Sequence, residues 1–82
     1  MVVKKDTKVT IIMPVFNNLK YTQQAITTLQ EYTTNYNLIV VNDGSTDETK
    51  EWLEAQGIET INQKNLGFTK AVNQGIILAK KS

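Results

Sequence analysis

Leu38-Ile39-Val40-Val41-Asn42-Asp43-Gly44-Ser45-Thr46-Asp47 is an aliphatic run that stops abruptly in a polar turn. Three of its first four residues are β-branched. A run that is apolar at every position reads as a strand covered on both faces, as in a parallel sheet. Asn42, Asp43, Gly44 and Ser45 tolerate tight-turn geometry and carry short polar side chains or none. Ser45, followed three residues on by Glu48, has the spacing of a capping box, so a helix is expected straight after the turn. Asp43 then stands at the carboxyl end of a buried strand, beside exposed backbone N–H groups, where open α/β sheets bind ligands. The competing reading is a plain corner. Asn and Asp occur in most such turns, and Asp47 complements a helix dipole without any further role.

Upstream, Val9-Thr10-Ile11-Ile12-Met13-Pro14-Val15 reads as the first strand. Pro14 donates no ladder hydrogen bond, so it belongs at the strand's end or on an unpaired edge. Phe16-Asn17-Asn18 turns the chain, and either Asn suits the N-cap of the helix that follows. In that helix Thr22, Ala25, Ile26, Leu29 and Tyr32 or Thr33 recur on one apolar stripe. Downstream, a second helix is expected from about Thr46 to Gln56, burying Trp52 and Leu53, with Gly57 as its left-handed cap. Ile58-Glu59-Thr60-Ile61-Asn62 alternates like a strand at a sheet edge, and a polar loop leads to the last helix. There Phe68, Ala71, Val72, Gly75, Ile76 and Ala79 share one face. Gly75 in mid-helix costs about 1 kcal/mol relative to Ala, which close approach to the sheet would explain. The order βαβαβα predicts a three-layer, Rossmann-like α/β fold with a three-stranded parallel sheet in the order 3-2-1. Residues 1–8 read as a flexible lead-in and 9–82 as the domain. The chain stops at Lys80-Lys81-Ser82 with no further strand beside the first, which leaves an apolar sheet edge and suggests a domain cut at its midpoint.

Composition removes several classes of function. The chain has 82 residues and a net charge of +1, with nine Lys against eight acidic residues, so no electrostatic pull toward nucleic acid or membrane is expected. Arg is absent, so phosphate contacts fall to Lys or backbone N–H groups. The lack of His and Cys excludes disulfides, thiol nucleophiles, Ser-His-Asp catalysis and the usual zinc sites. A reducing cytosol fits a cysteine-free chain, and no apolar run approaches the ~20 residues of a membrane span.

Four features occur together in order: Pro14-Val15-Phe16-Asn17, then Val41-Asn42-Asp43-Gly44-Ser45-Thr46-Asp47, then Asn65-Leu66-Gly67, then Ala71-Val72-Asn73-Gln74-Gly75. Together they resemble the amino-terminal, nucleotide-binding half of family 2 glycosyltransferases of the GT-A fold, over about residues 8 to 80. The resemblance implies a partial GT-A domain. It implies that Pro14, Val15, Phe16 and Asn17 line a nucleotide pocket, with Phe16 close to the base. Asp43 would accept a hydrogen bond from the imide N–H of uracil, which suits an acceptor-only carboxylate, with Gly44 and Ser45 in the same binding turn. Lys64 and Asn65 would face the ribose or diphosphate. Lys70 reads as solvated, Asn73 as a buried structural residue and Trp52 as core. The implied ligand is a nucleotide-diphosphate sugar, and the implied compartment is the cytoplasm, with the parent free or at the cytoplasmic face of a membrane.

The departures from the family pattern are equally specific. No Asp-x-Asp occurs anywhere in the chain, and the family's catalytic base and acceptor-binding half are missing. No catalytic or metal-binding residue is therefore assigned here. A divalent cation, Mn or Mg, is expected only in the full-length parent, to neutralise the leaving diphosphate. The missing carboxy-terminal half is then the expected partner, or a second copy paired along the first strand's edge. Two other readings compete. A haloacid dehalogenase-type phosphohydrolase would need a nucleophile where Val41 stands. A non-enzymatic α/β module would bind a nucleotide or partner through the open edge.

Overall fold

The computed structural model describes the backbone of residues 2–5 and 8–81 and the side chains of residues 9–80. Its elements are β1 (Val2–Lys5), β2 (Lys8–Val15), α1 (Leu19–Tyr32), β3 (Tyr36–Asp43), α2 (Thr49–Ala55), β4 (Glu59–Gln63) and α3 (Phe68–Lys81). They build one sheet in the order β1-β2-β3-β4, in which β2, β3 and β4 run parallel. The parallel part thus has the predicted order and forms part of a Rossmann-like GT-A architecture.

β3 is the centre because its residues are apolar on both sides. Ile39 and Val41 pack with Ile12 of β2 and with Ala71 and Ala79 of α3 on one face. Val40 packs with Val15, Ile26 of α1 and Leu53 of α2 on the other. Ile39, Val40 and Val41 are at most 1% exposed, and burying each such side chain contributes about 1.5–3 kcal/mol. Trp52 is only partly buried against the second cluster. On α1 the buried residues are Thr22 and Ile26, while Tyr32 is exposed and the half-buried Thr33 just beyond the helix continues that face. Gly75 lies so close to the sheet that a Cβ there would sit 2.3 Å from Ile12 Cγ2. The helix tolerates its cost because only glycine admits that approach.

Two expectations are corrected. Residues 2–5 were expected in a flexible lead-in, but β1 pairs antiparallel with β2, from Val2 opposite Ile11 to Lys5 opposite Lys8. The outer N–H and C=O groups of β2 are a template for any nearby extended segment, and this one is closest in sequence. The apolar edge is therefore covered over Lys8–Ile11, not open to a second copy there. The rest of the expected lead-in, Met1, Asp6 and Thr7, lies outside the described residues.

The second correction concerns α2, which begins at Thr49 and not at about Thr46, and no capping box forms. Ser45 spends its hydroxyl oxygen on the Asn17 N–H instead, at 2.8 Å. The helix ends as expected. Gly57 adopts φ 69°, its N–H donates to the Glu54 carbonyl and the Ile58 N–H to the Leu53 carbonyl, the bond pair of a Schellman motif.

Candidate functional site

β2, β3 and β4 end side by side, with Val15 level with Asn42 and Asp43 level with Gln63. Three turns leave from that line, and long-range hydrogen bonds join them into one surface.

The turn after β2 is fastened to the turn after β3. Asn17 and Asn18 both hold left-handed backbone, at φ 55° and 58°, a conformation Asn adopts more readily than most residues. The Asn17 side-chain oxygen accepts from the Thr46 N–H (2.7 Å), the Thr46 hydroxyl (3.3 Å) and the Asp47 N–H (3.3 Å). Asn18 occupies the N-cap position of α1 but makes no side-chain cap. That job falls to Asp47, whose Oδ2 accepts from the Leu19 N–H at 3.2 Å. Its Oδ1 accepts from the Thr49 N–H and hydroxyl, so one carboxylate serves the amino ends of both α1 and α2. The Thr49 hydroxyl leads the causes that hold the Asp47 carboxyl below its ordinary value, followed, against the opposing effect of burial, by the Thr49 and Leu19 N–H groups.

The turn after β3 is fastened in the other direction, to the loop between β4 and α3. Asp43 Oδ1 accepts from Gln63 Nε2 (2.8 Å) and the Leu66 N–H (2.7 Å), and Oδ2 accepts from the Gly67 N–H (3.0 Å). A carboxylate only accepts, so it dictates which way the Gln63 amide points and leaves Gln63 Oε1 buried without a partner. The Gln63 bond, the Leu66 N–H and then the Gly67 N–H hold the Asp43 carboxyl below its ordinary value, against the opposing effect of burial. Gly44, at φ 78°, brings the two turns into contact: a Cβ there would stand 2.7 Å from the Asn65 nitrogen. Asn42 adds a third tie, donating through Nδ2 to Asn62 Oδ1 at 3.0 Å.

Between the fastened turns lies a cleft of about 240 Å³. Pro14, Val15 and Phe16 reach it from the end of β2, and Asn65, Gly67 and Phe68 from the loop before α3 and the start of that helix. Asp43 and Ala71 complete the lining. Of the residues singled out from the sequence, the fold thus gathers Pro14, Val15, Phe16, Asp43 and Asn65 around one space. Asn17, Gly44, Ser45 and Lys64 are not among its lining. Asn17 borders a smaller recess of about 180 Å³ with Tyr21 and Thr22, Gly44 and Ser45 serve the turn contacts above, and Lys64 is exposed on its loop.

Asp43 departs from the expectation of an exposed strand end: it is 5% exposed, with three donors on it. Asn73 is exposed on α3, not buried. Phe68 was expected in the core face of α3 but is 71% exposed at the cleft's rim. Periodicity could not reveal this, because the sheet ends before the first turn of α3 and leaves that position nothing to pack on. Gln63 was missed because only the strand register sets it opposite Asp43.

The cation implied for the parent finds no matching donors here. Among the described residues no three acidic side chains come together, and Asp43 is the one carboxylate in the cleft's lining. No step is routed through a metal on this chain.

A parallel sheet with a cleft at the carboxyl ends of its strands has that cleft at the place where open α/β folds bind ligands. The family described as glycosyl transferase family 2 matches residues 10–81, and the chain belongs to it. An uncharacterized glycosyltransferase of Rickettsia bellii is 36% identical over 77 residues, 88% of this chain and 11% of that protein. Glycosyltransferase GlyA of Streptococcus pneumoniae serotype 4 is 38% identical over 77 residues, 87% of this chain and 11% of that protein. Another relative, from Rickettsia prowazekii, is 41% identical over 71 residues, 83% of this chain and 22% of that protein. The chain spans between 11% and 22% of the length of these curated relatives.

Proposed function

We propose that this chain holds the nucleotide of a uridine diphosphate-linked sugar donor for a glycosyltransferase that passes the sugar to an acceptor. The observation that carries this reading is Asp43, an ionised acceptor lining an apolar cleft, with a lone pair of Oδ2 left after three donors are served. An acceptor-only group suits the imide N–H of uracil and rejects an acceptor edge. Phe16, half-exposed in the cleft's lining, offers its ring to the base, and the exposed Lys64 offers charge to the diphosphate. The cation that neutralises a leaving diphosphate in the parent is held by residues other than these. Affinity for the bare chain is on the order of millimolar, because little surface is buried and the charged end is under-neutralised.

Titration of uridine diphosphate into isotope-labelled chain tests this. The expected result is saturable amide shifts at residues 14–17 and 43–45. Unmoved spectra at ligand concentrations well above the millimolar range overturn the reading.

A further inference from the structure

Phe68 is the large side chain of the cleft that the preceding reading leaves without a task. It is the first residue of α3 and keeps 71% of its surface exposed. The residues that continue its stripe, Ala71, Val72, Gly75 and Ala79, are buried. An aromatic ring left in water at one position of a mostly buried stripe loses the burial that the rest of the stripe gains, and here it shares the lining of one cleft with Phe16. Its place is fixed: the neighbouring Gly67 N–H is held by Asp43 Oδ2 at 3.0 Å. Phe16, 49% exposed just past the end of β2, lines the same cleft. Two aromatic rings and a carboxylate on one cleft suit a flat heteroaromatic group that carries an N–H on its edge. A ribose or a phosphate has no π-face to stack between two rings, whereas every base does.

We infer that Phe68 is the second wall of the base slot, so that the base is sandwiched between Phe16 and Phe68 while its N–H meets Asp43. This rests on the nucleotide reading above, and it adds a residue that sets specificity for a planar base over the other parts of the donor.

Uridine and ribose 5-phosphate, titrated separately into the chain and its variants, test it. Phe68→Ala and Phe68→Leu are expected to weaken uridine by about ten-fold or more, the range seen when a stacking ring is removed. Phe68→Tyr keeps the ring and is expected to bind uridine as wild type does. Ribose 5-phosphate is expected to respond equally to all of these chains. The uracil ring protons are expected to move upfield on binding wild type, and less so with Phe68→Leu. Melting temperature reports folding separately, and a residue this exposed leaves it unchanged. If wild type binds uridine and Phe16→Ala weakens it while Phe68→Ala does not, the sandwich is overturned and the nucleotide reading stands. Equal losses for uridine and ribose 5-phosphate also overturn it, since the ring would then act on the loop and not on the base. If wild type binds no uridine, the nucleotide reading fails and this inference with it.

Discussion

Asp43 lines the cleft and also fastens its surroundings. One of its hydrogen bonds joins the end of β3 to Gln63 at the end of β4, and two tie down the loop between β4 and α3, which lines the cleft. Asp43→Asn replaces one acceptor oxygen by an amide nitrogen that must face an N–H donor, leaving at least one of Gln63, Leu66 or Gly67 unserved. The expected outcome is a lower melting temperature and faster hydrogen exchange at the Leu66 and Gly67 amides, read by NMR. The same bonds set the pH response. The folded-state Asp43 carboxyl lies below its ordinary value of 3.8, so its stabilising effect is complete above that value and is lost as pH falls through the lowered one. Asp47 has the same sign. Thermal melts from neutral pH down past 3.8 are expected to fall for wild type, and to fall less steeply for Asp43→Asn, which has one such carboxylate fewer.

At the scale of elements, the informative contact is the stitch between the turns that follow β2 and β3. Neither α1 nor α2 starts with a side-chain cap from its own N-cap residue: both draw on Asp47, and Asn17 holds the backbone N–H groups of Thr46 and of Asp47 itself. Two properties of Asn17 can be separated by substitution. Asn17→Ala loses the oxygen and also strains a left-handed φ of 55°, for a cost of about 2 kcal/mol. Asn17→Gly loses only the oxygen and relaxes the backbone, so it should cost less than half as much. Asn17→Asp keeps an acceptor and a tolerance for that φ, and should lie near wild type. Urea unfolding midpoints give the ranking, and an Asn17→Gly as damaging as Asn17→Ala would refute the backbone part of the argument.

For the whole molecule, the sheet's outer side decides how it behaves in solution. β1 shields β2 over Lys8–Ile11, which is the stretch that would otherwise template a second copy. Deleting residues 1–7 is expected to make the chain associate with rising concentration in sedimentation velocity, while the intact chain associates less at the same concentration. Chemistry at this scale depends on what one cleft can do alone. With one cleft and no clustered acidic residues among those described, the isolated chain is expected to release no uridine diphosphate from a sugar donor, even with manganese present. Release above a no-protein blank would show that the chain carries more of the reaction than its cleft provides.

Residues 38–47 alone were enough to announce a doubly covered parallel strand ending in a ligand-side turn, because burial on both faces leaves an unbroken aliphatic run and a strand must end in residues that can turn. Helical spacing located α1 and α3, Gly57 located the end of α2, and Gly75 announced the close approach to Ile12. What those local patterns could not carry was pairing between distant segments. The Ser45 bond that displaces a capping box and the Gln63 and Gly67 donors on Asp43 all join positions whose distance in space is set by strand register. Phe68 belongs to the same class: its spacing matches the core, but the sheet stops short of it, so only the tertiary structure turns a core position into a cleft wall.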